Sequence, residues 1–346
     1  GIWFENNNTA TLRWSDGNSQ DISSRLQPIG SGNTATLDVG NNAVTLAYTV
    51  TGAGGIAKTG AGTLTLSGAN TFTGPLSIGR GTLKLGAAGD GTLSPLGTID
   101  AGTAVSGTGA ALDLNGFSLA TAEPLTLNGT GIATNGALLN SSGTAASYSG
   151  LLAFGSDTRI VSGNGNIVLS NPGVVTGAWS VLTLDGTAPG SILAGSLSTG
   201  AVTKVGSCTW TLSGAGTYTG LTTVAVGTLK AGVASVAGVS GAFGKNSPVV
   251  LTNAAGVSLE ITGYNTQIGA LSGGGAGGGN VTLGAATLTV GADGASADYA
   301  GVISGTGGLT KTGAGTQTLS GDNTYGGDTV ISGGILRLGA AAAIQA

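Results

Sequence analysis

The residues best suited to chemistry in this sequence are three acids that lie within alternating apolar runs. Two carboxylates on one face of a fold can serve as general acid and base, or as acid and nucleophile at a glycosidic bond. The chain contains no histidine, which excludes Ser-His-Asp and Cys-His catalysis and most zinc sites. Carboxylate chemistry is therefore the enzymatic option that remains. The three acids are Asp38 in Leu37-Asp38-Val39, Asp113 in Leu112-Asp113-Leu114 and Glu260 in Leu259-Glu260-Ile261.

The separation of these acids along the chain argues against a catalytic pair. Asp113 and Glu260 lie about 150 residues apart, which corresponds to roughly 30 Å in a fold with turns of roughly 20–25 residues spaced about 4.8 Å apart. We expect all three acids on solvated faces, and we predict no catalytic, cofactor-binding or metal-binding residues. If a cation did bind, the acids to consider would be Asp90, Asp100 and Asp113, which lie within about one turn of one another.

Two other sets of residues recur in the chain and could be taken for ligand-binding rows. We expect the repeated lysines to flank strands and to discourage wrong pairing of sheet edges. We expect the repeated aromatic residues to pack at corners of the fold instead of stacking on sugars. The lysines are Lys58, Lys204 and Lys311, and the aromatic residues are Phe72, Tyr218 and Tyr325.

These residues belong to a stretch of about 33 residues that occurs three times, at 54–86, 200–232 and 307–339. Thirteen positions are identical in all three copies, among them the lysine and Leu66, Leu212 and Leu319. Similarity at a fixed register is typical of an array in which each unit buries its apolar face against a neighbour.

Within each copy, apolar residues alternate with small polar ones, as in Thr63-Leu64-Thr65-Leu66. This period of two predicts short strands with one buried face. Short strands separated by tight corners predict an all-β parallel β-solenoid of about 14–17 turns. The residues that bound the runs can adopt the positive φ that tight corners require. They are Gly60, Gly62, Gly68, Asn70, Gly74, Gly79, Gly81 and Gly86.

The pattern GxLtKtGaGtLtLsGaNtYtGgTtv..GtLkLG resembles the passenger-associated repeat of bacterial autotransporters, the type V secreted surface proteins. The segments at 111–131, 257–275 and 299–313 are similar to those that precede the repeat in such passengers. The resemblance covers most of residues 44–346, whereas residues 1–43 are similar only in composition.

This resemblance implies a right-handed parallel β-helix that is exported through an outer-membrane β-barrel translocator outside this sequence. It also implies an extracellular location, at the bacterial surface or released from it. We expect residues 1–346 to form a single elongated β-helix, with divergent N-terminal turns at 1–43 and the three repeat units described above. Because residues 1–43 are the most polar part and contain Trp3 and Trp14, we expect them to cover an edge.

Composition supports a folded protein of this kind. Glycine is frequent, at 69 of 346 residues, but it has no three-residue period and proline is only 7, which excludes collagen. Apolar residues make up 40% and charged residues 8%, which disfavours disorder. The 11 basic residues form no stripe for nucleic acid, and the single cysteine, Cys208, allows no disulfide framework.

We therefore predict a non-enzymatic, structural or adhesive β-helical rod that acts as a stalk or an adhesin surface. Its partners would be host cells, neighbouring cells or matrix, with self-association of the chain as a further option. Two alternatives remain open: a self-assembling extracellular fibre, and a carbohydrate-active β-helix enzyme such as a polysaccharide lyase or hydrolase. A cleft with two carboxylates within reach of one another would favour the enzyme, and flat faces would favour the rod.

Overall fold

A computed structural model describes residues 1–5 and 10–344 of the chain. The fold is an all-β parallel β-solenoid of about 15 turns, which confirms the predicted fold class and number of turns. In the described residues the helical structure is limited to two short 3₁₀ turns, Ser23–Arg25 and Ile132–Thr134, and no helix combines the length and apolar character needed to cross a bilayer. The chain divides into two compact units, unit 1 at Gly1–Asn171 and unit 2 at Pro172–Ala346.

Unit 1 contains fifteen described strands, most of them three to five residues long. They are β1 (Thr11–Arg13), β2 (Thr34–Asp38), β3 (Ala43–Leu46), β4 (Gly55–Thr59), β5 (Thr63–Leu66), β6 (Leu76–Ile78), β7 (Gly81–Leu85), β8 (Thr103–Val105), β9 (Ala110–Asp113), β10 (Ser118–Leu119), β11 (Leu125–Gly129), β12 (Leu138–Asn140), β13 (Ala146–Tyr148), β14 (Leu152–Ser162) and β15 (Ile167–Leu169).

These strands stack in three parallel ladders, each made of successive turns. The first ladder runs β1, β2, β4, β6, β8, β11 and β14. The second runs β3, β5, β7, β9, β12 and the end of β14, and the third runs β10, β13 and β15. Parallel pairing of each strand with the next turn is the arrangement that the alternating pattern predicts.

Unit 2 contains nineteen described strands. They are β16 (Val174–Gly186), β17 (Ser191–Leu193), β18 (Ser196–Lys204), β19 (Thr209–Leu212), β20 (Thr222–Val224), β21 (Thr228–Ala231), β22 (Val249–Leu251), β23 (Ser258–Glu260), β24 (Thr266–Gln267), β25 (Leu271–Gly273), β26 (Asn280–Thr282), β27 (Leu288–Val290), β28 (Ala297–Tyr299), β29 (Ile303–Gly305), β30 (Leu309–Lys311), β31 (Thr316–Leu319), β32 (Thr324–Tyr325), β33 (Thr329–Ile331) and β34 (Ile335–Leu338).

Unit 2 also has three parallel ladders. The first contains β16, β18, β20, β22, β25, β28, β31 and β34. The second contains β17, β19, β21, β23, β26, β29 and β32, and the third contains β24, β27, β30 and β33.

The first two repeat copies each supply four strands, of which the first pairs with the third and the second with the fourth. The third copy supplies five, because it also contains β32, and there β30 pairs with β33 and β31 with β34. In the first copy, Ala57 lies opposite Ser77 and Leu64 lies opposite Leu83. The same pairing joins Thr203 to Thr223 in the second copy. A turn within a repeat therefore spans about 20 residues, at the short end of the predicted range.

The core of each unit consists of the inward residues of these ladders. Leu46, Leu66 and Leu85 stack in one column and are at most 1% exposed. Thr65, the residue before Leu66 on β5, points outward. Leu212 and Leu319, at the position of Leu66 in the other copies, are also buried. Each such leucine contributes roughly 1.5–3 kcal/mol by leaving water.

Only some of the residues that bound the strands adopt the positive φ that glycine and asparagine permit. Gly60 and Gly81 do so, with φ of 77° and 71°. Gly62 does not, but a Cβ there would lie 2.1 Å from the carbonyl oxygen of Asn42 in the preceding turn. The second copy has Cys208 at the position of Gly62, so the close approach there is not common to all copies.

Gly74, Gly220 and Gly327 share one position and also lack positive φ. A Cβ there would lie within 2.6 Å of the backbone of the preceding turn, so close approach explains this glycine in all three copies.

Asn70 is also not a positive-φ corner. Its side chain is buried, and its Oδ1 accepts a hydrogen bond from the backbone N–H of Val50 (2.7 Å) in the preceding turn. Its Nδ2 donates to the carbonyl of Pro95 (2.6 Å) in the following turn. Asn323, at the same position of the third copy, bonds in the same way to Ile303 and Ala343. This asparagine therefore connects three successive turns.

The N-terminal segment forms hydrogen bonds with the residues that directly follow β3, and that it covers an edge stays a prediction. Trp14 is buried, and its Nε1 donates to the carbonyl of Gln20 (2.9 Å). The Asp21 carboxylate accepts from the N–H of Ala47 (3.1 Å), and Ser23 Oγ accepts from the N–H of Tyr48 (3.0 Å). Residues 6–9, which belong to the predicted divergent segment 1–43, lie outside the described residues.

Replacing Leu66 with Asp should lower the free energy of unfolding of unit 1 by several kcal/mol, because an unpaired charge would enter an apolar column. Thr65→Asp is the matched control, since it places the same charge on the outward face of the same strand. Denaturant titration measures the loss, and protease mapping locates it. If protease cleavage of Leu66→Asp increased equally in units 1 and 2, the result would contradict a fold in which turns contact only their neighbours.

Candidate functional site

The three lysines of the repeat occupy the interior of the solenoid, which corrects the prediction that they protect sheet edges. Lys58, Lys204 and Lys311 are each 0% exposed. The alternation explains this placement, because Lys58 is in phase with the inward Ile56 of β4. An inward ammonium needs hydrogen-bond acceptors to offset the loss of water.

Three backbone carbonyls accept the hydrogen bonds of each ammonium. Lys58 Nζ donates to the carbonyls of Thr59 (3.0 Å), Gly60 (2.8 Å) and Arg80 (2.8 Å). The first two belong to its own corner, and the third belongs to the corner one turn later. An ammonium has three N–H groups, so all of its donors are used at this corner.

The other two copies repeat this arrangement at the same spacing. Lys204 Nζ donates to the carbonyls of Val205, Gly206 and Val226, at 2.8, 2.7 and 3.1 Å. Lys311 Nζ donates to the carbonyls of Thr312, Gly313 and Gly333, the last two at 2.9 and 3.2 Å. We call each of these sites, a repeat lysine with its three carbonyls, a lysine corner.

Burial lowers the pKa of Lys58 to about 8, and the attraction of the Asp38 carboxylate opposes this shift. Burial also lowers the pKa of Lys204 and of Lys311. A lysine with a lowered pKa can serve as a base or nucleophile when a substrate reaches it. Here the ammonium is enclosed and its donors are engaged, so the lysine corner is suited to holding turns together.

The acids that the sequence singled out have structural partners. Asp38 bonds to Arg13 Nε (3.0 Å) and to the N–H of Gly40 (2.9 Å). It lines an open groove of about 730 Å³ in unit 1 together with Asp16 and Arg80. Because Arg13 and Gly40 already bind its carboxylate, Asp38 is not placed as a free catalytic base.

Asp113 and Glu260 occupy equivalent positions in different units, and each lies opposite a lysine of the preceding turn. Lys84 Nζ lies 3.8 Å from Asp113 Oδ2, and Lys230 Nζ lies 2.7 Å from Glu260 Oε1. Asp113 is buried, whereas we expected it on a solvated face. Ser141 Oγ and the N–H groups of Asn115 and Ser141 also donate to its carboxylate, and these hydrogen bonds offset the loss of water. Glu260 is half-exposed, in closer agreement with the prediction.

The acids proposed as cation ligands do not form a cluster. Asp90 and Asp100 are exposed and accept hydrogen bonds from nearby residues of their own loops, Thr92 and Leu93 for Asp90 and Thr98 for Asp100. In the part of the chain that the structure describes, no group of three or more Cys, Asp or Glu residues is arranged to hold a metal ion.

The repeated aromatic residues are buried, as the packing interpretation expects. Phe72 and Tyr325 are 1% exposed and Tyr218 is 3% exposed. The tyrosine hydroxyls bond to threonines four residues later, at 2.8 Å from Tyr218 to Thr222 and at 2.7 Å from Tyr325 to Thr329. None of the three presents a ring face to solvent on which a sugar could stack.

Sequence reasoning missed one buried carboxyl, Glu123. Thr103 Oγ1 donates to its Oε1 (2.5 Å), and its Oε2 has no hydrogen-bond partner among the described residues. Burial raises the pKa of Glu123 to about 8, although the bond from Thr103 opposes the shift. Glu123 lies two residues before Leu125, in phase with the inward Leu125 and Leu127 of β11, so the alternation is the signal that could have found it.

Replacing Lys58 with Met should lower the free energy of unfolding by about 2–5 kcal/mol, because three buried carbonyls lose their donor. Lys230→Met is the control, since Lys230 and its partner Glu260 are both partly exposed, and it should cost less than about 1 kcal/mol. Denaturant titration of both variants checks the difference. Equal losses would show that the lysine corner adds nothing beyond an ordinary surface pair.

The raised pKa of Glu123 predicts a loss of stability as the pH rises. Its carboxyl favours the folded state fully below about pH 4.5, and that contribution disappears between about pH 4.5 and 8, because only the unfolded state ionises there. Glu123→Gln should flatten this dependence, and Glu260→Gln, with its ion-paired carboxylate, is the control. Denaturation midpoints measured from pH 4 to 9 test it, and an unchanged slope in Glu123→Gln would refute it.

Comparison with known proteins matches the passenger-associated-transport-repeat family to residues 56–85, 202–231 and 309–338. The adhesin BmaC autotransporter of Brucella suis biovar 1 (strain 1330) is 43% identical over 138 residues, which cover 40% of this chain. The chain spans only 4% of the length of that relative. No solved structure matches the chain significantly.

The three family matches fall within the three repeat copies, and each contains one lysine of a lysine corner. They confirm the resemblance that the sequence pattern indicated, and with it a location outside the cell or at its surface. The chain therefore carries three passenger-associated-transport repeats, and these repeats together with the similarity to an autotransporter adhesin support an autotransporter passenger.

Proposed function

We propose that this chain is a structural β-helical segment of a surface-displayed passenger whose outer sheet faces adhere to host cells, neighbouring cells or matrix. The observation that carries the proposal is a column of small, uncharged, outward side chains in successive turns. In unit 2 this column consists of Thr203, Thr223, Val250 and Ser272, each opposite the next and each half-buried.

Unit 1 has a similar column on its first ladder. Its members are Thr36, Ala57, Ser77, Ala104, Thr126 and Ala153, which alternate with the buried core residues. A flat face of this kind has no pocket for one ligand, but its many weak contacts can sum over a long surface. The relative's name, an adhesin, supports the adhesive part of the proposal.

The placement of the acids favours this function over the enzymatic alternative. Asp38, Asp113 and Glu260 are each bound to a basic side chain, which is a structural use of a carboxylate. We also propose that residues 1–346 form one continuous β-helix that acts as a stalk, because turns of about 20 residues and parallel ladders occur in both units. Calorimetry tests that part, since one continuous body should melt in a single transition.

The adhesive part can be tested with beads coated with the full chain and offered to host cells or matrix. We expect more adhesion than with beads coated with an unrelated protein. Thr223→Arg and Ser77→Arg, which place a large charge on the flat columns, should reduce it severalfold. Ala276→Arg is the matched control because it adds the same charge at an exposed loop. Adhesion that is no greater than background would leave only the stalk function.

A further inference from the structure

Unit 2 contains an open groove of about 310 Å³ where its third ladder begins. At that size it lies at the small end of ligand pockets in proteins. Two outward residues of this ladder line it, Gln267 of β24 and Thr289 of β27, which lie opposite each other. Every lining residue except Ala237 carries a hydroxyl or an amide, and among the described residues that line the groove none is charged. The groove is therefore suited to a neutral ligand that is rich in hydrogen-bonding groups.

The side-chain amide of Gln267 is held in one orientation. Asn246 Nδ2 donates to the backbone carbonyl of Ala292 (3.4 Å), and a carbonyl can only accept. Asn246 Oδ1 is therefore the atom that faces Gln267, and it accepts from Gln267 Nε2 (2.7 Å). Gln267 Oε1 has no hydrogen-bond partner among the described residues, so it remains as an oriented acceptor in the groove.

The side-chain amide of Asn265, at the other end of the same corner, is oriented in the opposite sense. Its Oδ1 accepts a hydrogen bond from the N–H of Thr287 (2.9 Å), which can only donate. Asn265 Nδ2 is therefore the free end of this exposed side chain, and it bonds to no other described residue. The hydroxyls of Thr287 and Thr289 also bond to no described residue. The groove thus presents one oriented donor, one oriented acceptor and two hydroxyls that can do either.

The backbone of β24 is not available for an added peptide strand. The N–H of Gln267 donates to Ser235 Oγ (3.0 Å). The N–H groups of Thr266 and Ile268 donate to carbonyls of the next turn, at 3.0 and 2.9 Å. Peptides that add a strand to a sheet depend on free backbone groups of this kind. The groove also lacks the basic side chains that bind phosphate or carboxylate groups.

Two exposed side chains with apolar surface accompany the polar groups. Tyr264, 37% exposed, directly precedes Asn265, and Val236, 59% exposed, lies between the lining residues Ser235 and Ala237. A sugar ring matches this combination, because its hydroxyls both donate and accept while its C–H groups pack against apolar surface.

We propose that this groove binds a neutral saccharide, whose hydroxyls donate to Gln267 Oε1 and accept from Asn265 Nδ2. Few polar groups in fixed positions are enough to orient a small ligand in such a site. The inference goes beyond the adhesive columns proposed above and does not depend on them, since neither Thr203 nor Thr223 lines the groove.

The test measures binding of four neutral probes to the full chain by saturation-transfer NMR. The probes are the methyl glycosides of glucose, galactose, mannose and N-acetylglucosamine, and tetraglycine serves as a peptide probe. We expect saturable binding of at least one glycoside with a dissociation constant in the millimolar range, and no saturable binding of tetraglycine.

Two variants with matched controls locate the site. Thr289→Val removes a groove hydroxyl at constant shape, and Thr310→Val is its control because Thr310 lies opposite Thr289 on the next turn, outside the groove. Asn265→Ala removes the oriented donor. Its control is Asn253→Ala, since Asn253 Oδ1 likewise accepts a backbone N–H, from Gly277 (2.8 Å). Thr289→Val and Asn265→Ala should each weaken glycoside binding about threefold to tenfold, and the controls should not change it.

Circular dichroism verifies that each variant is folded, and Thr289→Val keeps the test decisive if Asn265→Ala does not fold. Binding that the two groove variants leave unchanged would overturn the proposal, because the saccharide would then lie elsewhere. No saturable binding of any of the four glycosides up to about 100 mM would also overturn it. Saturable binding of tetraglycine that Thr289→Val weakens would overturn it as well, because the groove would then be a peptide site.

Discussion

The stacking of corners is the constraint on which the rest of this structure depends. Turns one strand spacing apart bring backbone against backbone, so that a Cβ at Gly74 would lie 2.4 Å from the carbonyl carbon of Gly54. The same approach leaves carbonyls that need donors inside the corner. The ammonium of Lys58 satisfies three of them at once and joins two successive turns. The lysine of the three copies and the glycine at Gly74, Gly220 and Gly327 follow from this close approach, whereas Gly60 and Gly81 also need positive φ.

The strands and the fold class could be predicted because period-two alternation specifies which face of a strand is buried. The lysine corner was mispredicted because lysine is rarely buried, and that general preference was given more weight than the phase of the alternation. The phase alone would have placed Lys58 beside Ile56, inside the solenoid. Glu123 was overlooked although it is in phase with the inward Leu125 and Leu127 of β11, so the alternation would have indicated its burial as well. Its hydrogen bond from Thr103, 20 residues earlier in the chain, could not be predicted from that pattern.

The acidic residues show why a motif cannot be interpreted without its register. Asp113 and Glu260 looked like isolated carboxylates on a strand, which is also how a β-helix enzyme presents its catalytic acids. In the folded chain each lies one turn after a lysine at the same strand position, so its charge is balanced by the repeat itself. The pattern that would have revealed this is the lysine in the fourth strand of the first two copies, Lys84 and Lys230, each followed by an acid in a later alternating run.

These charged contacts also specify the register of the strands, which the apolar core specifies only weakly. A strand such as Thr63-Leu64-Thr65-Leu66 keeps its buried face when it slips by two residues, so alternation alone specifies the face but only weakly specifies the register. The inward lysine has its three carbonyls in only one register, and the outward pair of Lys230 and Glu260 forms in only one register. A slip by two residues would bury an ammonium without acceptors and separate the surface charges. In this low-charge chain, the few charged residues therefore determine which turn positions pair, and the leucines supply the stability.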